Sequence, residues 1–241
     1  MNGKAIMRTA TVSFLVIASL VVSACGDTTE LLSWSQLPEL PPMAGQAIQP
    51  GLAGPFCGIH NDALIVAGGA NFPPPVWESQ KVWHDDVYVL VKEPGGSGAG
   101  DESYRWITGF KLDRPIAYGA CVSSGHGVVC IGGNDSERTY SQVFLLQWDA
   151  DNKGITKTSL PDLPDTCAYS SAAMISDTVY VVGGTTGLGL ETAGRNFWSL
   201  DMSKLDDPGS LEWKQLLPWP GPSRAFAIAC AQHNGTADCL Y

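Results

Sequence analysis

Three short apolar runs, each closed by a glycine pair, constrain this chain more than any other feature. They are Ala63-Leu64-Ile65-Val66-Ala67-Gly68-Gly69, Val128-Val129-Cys130-Ile131-Gly132-Gly133 and Val179-Tyr180-Val181-Val182-Gly183-Gly184, with the pairs 64 and 51 residues apart. Apolar runs this short, bounded by turn residues, read as buried strands rather than helices. A further strand follows each pair, in Asp86-Val87-Tyr88-Val89-Leu90, Val143-Phe144-Leu145-Leu146 and Phe197-Trp198-Ser199-Leu200-Asp201. Trp106-Ile107, Leu160-Pro161-Asp162-Leu163-Pro164 and Trp213-Lys214-Gln215-Leu216-Leu217-Pro218 take the place of a fourth strand. A glycine pair at a strand end lets the backbone turn where a Cβ would clash, so three such pairs predict three corners of one design.

Four strands per unit, at about 50 residues a unit, is the kelch pattern of a β-propeller. The expected fold is all-β, a kelch-type β-propeller of four-stranded blades, with three complete units and the opening hairpin of a fourth. Composition agrees: 27 Gly, 16 Pro and only 16% charged residues, with no long stretch of apolar residues at helical spacing, exclude a helical bundle. A formal charge of -10 argues against a nucleic-acid partner, which needs concentrated Lys and Arg, and leaves neutral or small polar ligands open.

Lys4 and Arg8 precede an apolar run from Ala10 to Val22, the pattern of an export signal over residues 1–24. That run is shorter than the about 20 residues of a membrane-spanning helix. Val22-Ser23-Ala24-Cys25 resembles the lipobox of bacterial lipoproteins, which would make Cys25 the lipid-bearing first residue of the mature chain. An ordinary signal cut near Ala24 is the alternative. On this reading residues 25–33 are a short tether and 34–241 the partial propeller. The protein is then exported to the periplasmic or extracellular face of a bacterial cell envelope and held to the membrane through its lipid only.

If a two-residue turn joins the first two strands of each unit, a residue eleven before the first glycine faces one two before it. The turns become Asn61-Asp62, Gly125-His126 and Ser176-Asp177, and the fourth hairpin carries Asn234-Gly235. This register sets Cys121 opposite Cys130 and Cys230 opposite Cys239, at sites where facing side chains lie closest. Export makes two cross-strand disulfides the expectation, with buried free thiols the alternative. Cys57 and Cys167 have no partner. The absence of a CxxC or His-rich cluster argues against a metal site, and no cofactor is expected.

The segment Gly51-Leu52-Ala53-Gly54-Pro55-Phe56-Cys57-Gly58-Ile59-His60-Asn61-Asp62-Ala63-Leu64-Ile65-Val66-Ala67-Gly68-Gly69-Ala70-Asn71-Phe72 resembles the cyclically permuted mutarotase family, relatives of bacterial N-acetylneuraminate epimerase. Ala117-Tyr118-Gly119 adds to the likeness. The resemblance implies a six-bladed propeller that interconverts sialic acid anomers in its axial funnel. The family's base would be a glutamate after a glycine, with an arginine six residues later, in the blade preceding the Gly51–Phe56-like segment. In a permuted chain that blade lies beyond Tyr241, so the chain reads as C-terminally truncated and, without the family's base, as inactive, and Trp34–Leu40 reads as a closing strand. The family also has an arginine directly before its Ala-Tyr-Gly, whereas here Arg114 stands two residues earlier, followed by Pro115 and Ile116.

Anomer exchange needs a base for the anomeric hydroxyl proton and a group that steadies ring-opening charge, commonly a carboxylate and an arginine. Glu191 and Arg195 follow the third glycine pair and are the in-chain candidates, with a solvated salt bridge as the other reading. Arg114 and Arg224 precede first strands of what read as adjacent units, where they can grip a carboxylate or latch a strand edge. Asn71 and Tyr118 can hydrogen-bond a sugar hydroxyl, or serve as a turn residue and a core residue. His84 reads as a surface residue, and the remaining histidines fall at hairpin turns, which disfavours copper chemistry. Without a Gly-x-Ser-x-Gly elbow there is no hydrolase signature. The rival to the enzyme is a non-catalytic kelch module that binds glycan or protein outside the cytoplasm. In it Trp77 and Trp83, in the insertion between Asn71 and Asp86, are the contact candidates, while Trp34, Trp106, Trp148 and Trp213 read as core.

Overall fold

The computed structural model describes residues 34–43, 45–93, 103–207 and 209–241. The export signal, Cys25 and the tether lie outside the described residues. The chain divides at Gln36 and Leu37 into two units, and everything below concerns the unit from Leu37 to Tyr241 unless stated.

Blade 1 is built from β1 (Phe56–His60), β2 (Ala63–Ala67), the two-residue strands β3 (Ala70–Asn71) and β4 (Val82–Trp83), β5 (Asp86–Lys92) and β6 (Tyr104–Lys111). Blade 2 comprises β7 (Ala120–Ser124), β8 (Gly127–Ile131), β9 (Val143–Asp149) and β10 (Gly154–Leu160). Blade 3 comprises β11 (Ser171–Ile175), β12 (Thr178–Val182), β13 (Phe197–Asp201) and β14 (Trp213–Gln215), and a hairpin of β15 (Ala231–His233) and β16 (Asp238–Leu240) follows. Each blade is a four-stranded antiparallel meander, ordered β1-β2-β5-β6, β7-β8-β9-β10 and β11-β12-β13-β14, while β3 and β4 form a small separate pair. The first strands touch one another, β1 against β7 and β7 against β11, so they are the inner strands and the outer strands radiate from them. The three sheets do not close into a ring among the described residues.

Every residue of β8 is buried, which alternation explains once both faces are covered. Val128 and Cys130 join a core with Ile65, Val87 and Val89 of blade 1. Val129 and Ile131 join a second core with Val181, Trp198 and Leu200 of blade 3. Blade 2 is thus held between two hydrophobic layers, each fully buried aliphatic side chain contributing about 1.5–3 kcal/mol.

The glycine pairs do one job three times. The second glycine of each pair donates its N–H to the next segment: Gly69 to Ile116 O, Gly133 to Cys167 O and Gly184 to Arg224 O, each at 2.8 Å. At Gly132, φ is +59° and an added Cβ would run into the Cys167 carbonyl, so only glycine fits.

Three of the four turns are as the register predicts, with His60 opposite Ala63, Ser124 opposite Gly127 and Ile175 opposite Thr178. The fourth is not. His233 pairs with Asp238 and Gln232 with Cys239, across a four-residue loop closed by Asn234 N–H to Ala237 O. Cys230 therefore faces Tyr241 rather than Cys239. Cys121 does oppose Cys130, but all six described cysteines are free thiols, so neither expected disulfide is present. Cys121 Sγ turns to the neighbouring blade, donating to Cys57 O at 3.2 Å, while Cys130 is fully buried.

Three further expectations are corrected. The fourth strand of blade 2 is β10, sharing only Leu160 with the segment Leu160–Pro164. Residues 34–43 contain no strand, and Pro38 O instead accepts from Trp106 Nε1 on the outermost strand of blade 1. Trp34 is 90% exposed rather than core.

Candidate functional site

One backbone position organises the end of the blades where the glycine pairs lie. Gly54, Tyr118, Tyr169 and Phe226 each follow an alanine, each precede an inner strand or its equivalent, and all have positive φ, from +55° to +62°. Each links to the one before: Tyr118 N–H donates to Gly54 O at 2.7 Å, Tyr169 N–H to Tyr118 O at 2.7 Å and Phe226 N–H to Tyr169 O at 2.9 Å. A left-handed backbone costs a non-glycine residue about 1–2 kcal/mol, and here it is held by that inter-blade hydrogen bond.

The result is an aromatic ladder around the mouth of the axis. The Tyr118 and Tyr169 rings lie 4.9 Å apart and the Tyr169 and Phe226 rings 4.4 Å apart, both tilted. Blade 1 has no ring at this register because Gly54 occupies it, and a Cβ there would strike the Tyr118 ring. Lys81 stands at that end instead, its Nζ 5.0 Å from the centre of the Tyr118 ring, 5.5 Å from Trp83 and 5.7 Å from Phe72.

The β3–β4 pair fixes this corner. Asn71 Nδ2 donates to Gly51 O at 2.9 Å, which leaves Asn71 Oδ1 to accept from His84 Nε2 at 2.8 Å. Trp83 Nε1 reaches Asn134 Oδ1 at 3.4 Å. His84 is 7% exposed, not a surface residue, and burial lowers its pKa, with Asp86 and Asp85 opposing that shift and Lys111 adding to it. Asn71 is buried with its amide committed to these two partners. Trp77 is 96% exposed on the insertion and Trp83 half-buried at its base.

The arginines are not equivalent. Arg224 holds the position occupied by Ile116 and Cys167 in the preceding joints, directly before Ala225-Phe226, and two blades, 2 and 3, separate it from Arg114. Arg114 lies over the Tyr140 ring at 4.8 Å, beside a cavity of about 130 Å³ at the start of β9 and the end of β10. Arg224 borders a cavity of about 450 Å³ among Val182, Phe197, Trp219 and Ile228. Glu191 is exposed in a single 3-10 turn, Leu190–Thr192, and makes no ion pair with Arg195. Arg195 donates instead to Trp219 O and Gly221 O, at 3.5 and 3.4 Å, so the loop salt bridge is absent.

Of the mouth residues, Lys81, Tyr169 and Phe226 were not singled out by sequence. A signal for the aromatics exists: Gly54, Tyr118 and Tyr169 each stand fourteen residues before the first glycine of a pair. No such spacing marks Lys81, because its cage joins residues from two blades.

Four-stranded blades with glycine-pair corners and inner strands around one axis define a kelch-type β-propeller. The solved structure of YjhT shares this fold, with a TM-score of 0.54 at 15% identity over 76% of this chain and 58% of that one. The family model for N-acetylneuraminate epimerase matches residues 19–155, and the chain belongs to that family. It is 34% identical over 128 residues to N-acetylneuraminate epimerase of Brucella melitensis, and 32% identical over 130 residues to that of Yersinia enterocolitica. Each match covers 48% of this chain and 30% of the relative. The matched stretch thus spans less than a third of the length of these curated relatives.

Proposed function

We propose that this protein binds N-acetylneuraminate at the mouth of the axis and acts in exchange of its anomers. The observation that carries this reading is the aromatic ladder with its caged lysine, located at the glycine end of a chain from this family. Ring faces suit the C–H surface of a sugar, and a cation suits the carboxylate of a sugar acid. Anomer exchange removes the proton from the anomeric hydroxyl as the ring C–O bond opens, returns a proton to the ring oxygen, and closes the ring on the other carbonyl face. Glu191, an exposed carboxylate in the loop after the third glycine pair, is the in-chain candidate for the base.

The test is exchange spectroscopy on N-acetylneuraminate with the purified protein. The reading expects exchange faster than in buffer, and slower by about a hundredfold or more in Glu191→Gln if that carboxylate is the base. Acceleration untouched by the substitution places the base elsewhere. Saturable binding without acceleration overturns the exchange activity and leaves a glycan-binding module. We further infer export and lipidation at Cys25. Mass spectrometry of the membrane fraction is expected to find a diacylglyceryl group there, lost in Cys25→Ser, and an unlipidated, soluble product overturns it.

A further inference from the structure

Lys81 is a cation with no anion. Its ammonium lies against three aromatic rings, and among the described residues no carboxylate pairs with it and no hydrogen-bond acceptor takes any of its three N–H donors. Ring faces attract the charge by about 0.5–1 kcal/mol each at exposed sites but accept no conventional hydrogen bond. The cage therefore orients the ammonium and leaves its donors open. The surroundings make this placement informative. The chain carries 24 acidic residues against 14 basic ones, so an anionic ligand approaches against the net field and needs a local cation. Of the other candidate cations, Arg114 lies on Tyr140, Arg195 reaches the carbonyls of Trp219 and Gly221, and Arg224 borders the cavity among Val182, Phe197, Trp219 and Ile228. Lys81 alone stands over a rung of the ladder.

Its position is also built. Lys81 directly precedes β4, whose Val82 and Trp83 pair with Asn71 and Ala70 immediately after the first glycine pair. Two of the cage rings, Phe72 and Trp83, come from the same insertion, and the third, Tyr118, comes from the entry to blade 2. The insertion thus carries a cation onto the first rung, at the one register where Gly54 leaves the ladder without a ring.

We propose that Lys81 is the carboxylate-recognising group of the mouth, and that it sets the preference of this protein for an acidic sugar over a neutral one. The proposal rests on the sialic-acid reading above. The ammonium takes the carboxylate while the neighbouring rings face the apolar side of the pyranose.

The experiment is calorimetric titration of the full chain with N-acetylneuraminate and with its neutral methyl ester. Wild-type protein is expected to bind the acid about tenfold to a hundredfold tighter than the ester, a preference that shrinks as salt is raised. Lys81→Met is expected to lose that factor for the acid and keep its affinity for the ester, with Lys81→Arg retaining part of the preference. Equal weakening toward both ligands in Lys81→Met would show that the lysine only braces the insertion, and overturns the proposal. Equal wild-type affinity for acid and ester also overturns it while leaving the sialic-acid reading intact, and needs no variant to fold. Binding of neither ligand defeats that reading and this proposal together.

Discussion

Blade 2 and the hairpin β15–β16 begin alike, with an alanine, a left-handed aromatic residue and a strand, yet they end as opposites. In blade 2 a neighbour covers each face, every β8 residue is buried, and the predicted register holds residue for residue. In the hairpin all of β15 is exposed, and the register differs from the expected one. The contrast teaches what pins a strand pair. Side chains interdigitated in a core hold one register, because any slip unpacks them, whereas an exposed pair has no such packing to lose. Without a core, the local hydrogen-bonding of Asn234 decides: its side-chain Oδ1 accepts from Thr236 and Ala237 N–H, both at 2.9 Å, and a four-residue loop results.

The sharpest way to break this comparison is to label thiols under native conditions at pH 8. Cys230 is exposed and is expected to react at once. Burial pushes the Cys167 thiol up to about 11 and raises that of Cys130 well above its ordinary value, so neither offers a thiolate. Both are expected to stay unlabelled until the protein unfolds, and rapid labelling of Cys130 would mean blade 2 is not clamped.

Glycine substitutions make the same contrast in energies. Gly132→Ala forces a Cβ against the Cys167 carbonyl at positive φ, and urea unfolding should show a loss on the order of 3 kcal/mol. Gly235 also has positive φ, +95°, but nothing lies within 4 Å of an added Cβ. Gly235→Ala should therefore cost only the backbone strain, about 1 kcal/mol. Equal losses would deny that neighbours, rather than dihedrals, separate the two regions.

The smallest effect concerns the corner of blade 1. Burial holds the His84 pKa below its unfolded value of 6.5, so the unfolded chain binds more protons in acid. Stability is present above pH 6.5 and is lost as pH falls below it through the lower folded-state pKa. The urea midpoint should thus drop between pH 7.5 and 5.5, and drop less in His84→Gln. An unchanged pH dependence in that variant would remove His84 as a source.

Much of the fold was legible because it rests on local rules. Apolar runs, glycine corners and two-residue turns are set by neighbours in sequence, and they give the strands, three of four hairpin registers and the meander of each blade. The fourth strand of blade 2 was missed because Leu160–Pro164 resembles an edge, while β10 is rich in small polar residues, Thr156, Thr158 and Ser159, that carry little apolar signal. The cysteine pairing depended on register and on side-chain direction, and only the first of these could be read for Cys121 and Cys130.

By itself the sequence determined a repeated four-stranded unit, an acidic chain and a family likeness anchored in residues 51–72, since each depends on residue order alone. The tertiary structure decided which cations face the mouth. Arg114 and Arg224 looked alike in the chain but occupy different registers, and Lys81 gained its role only when Tyr118, 37 residues away, closed its cage. Packing between blades places side chains by inter-blade hydrogen bonds, and no periodicity within one blade encodes what the next will set beside it.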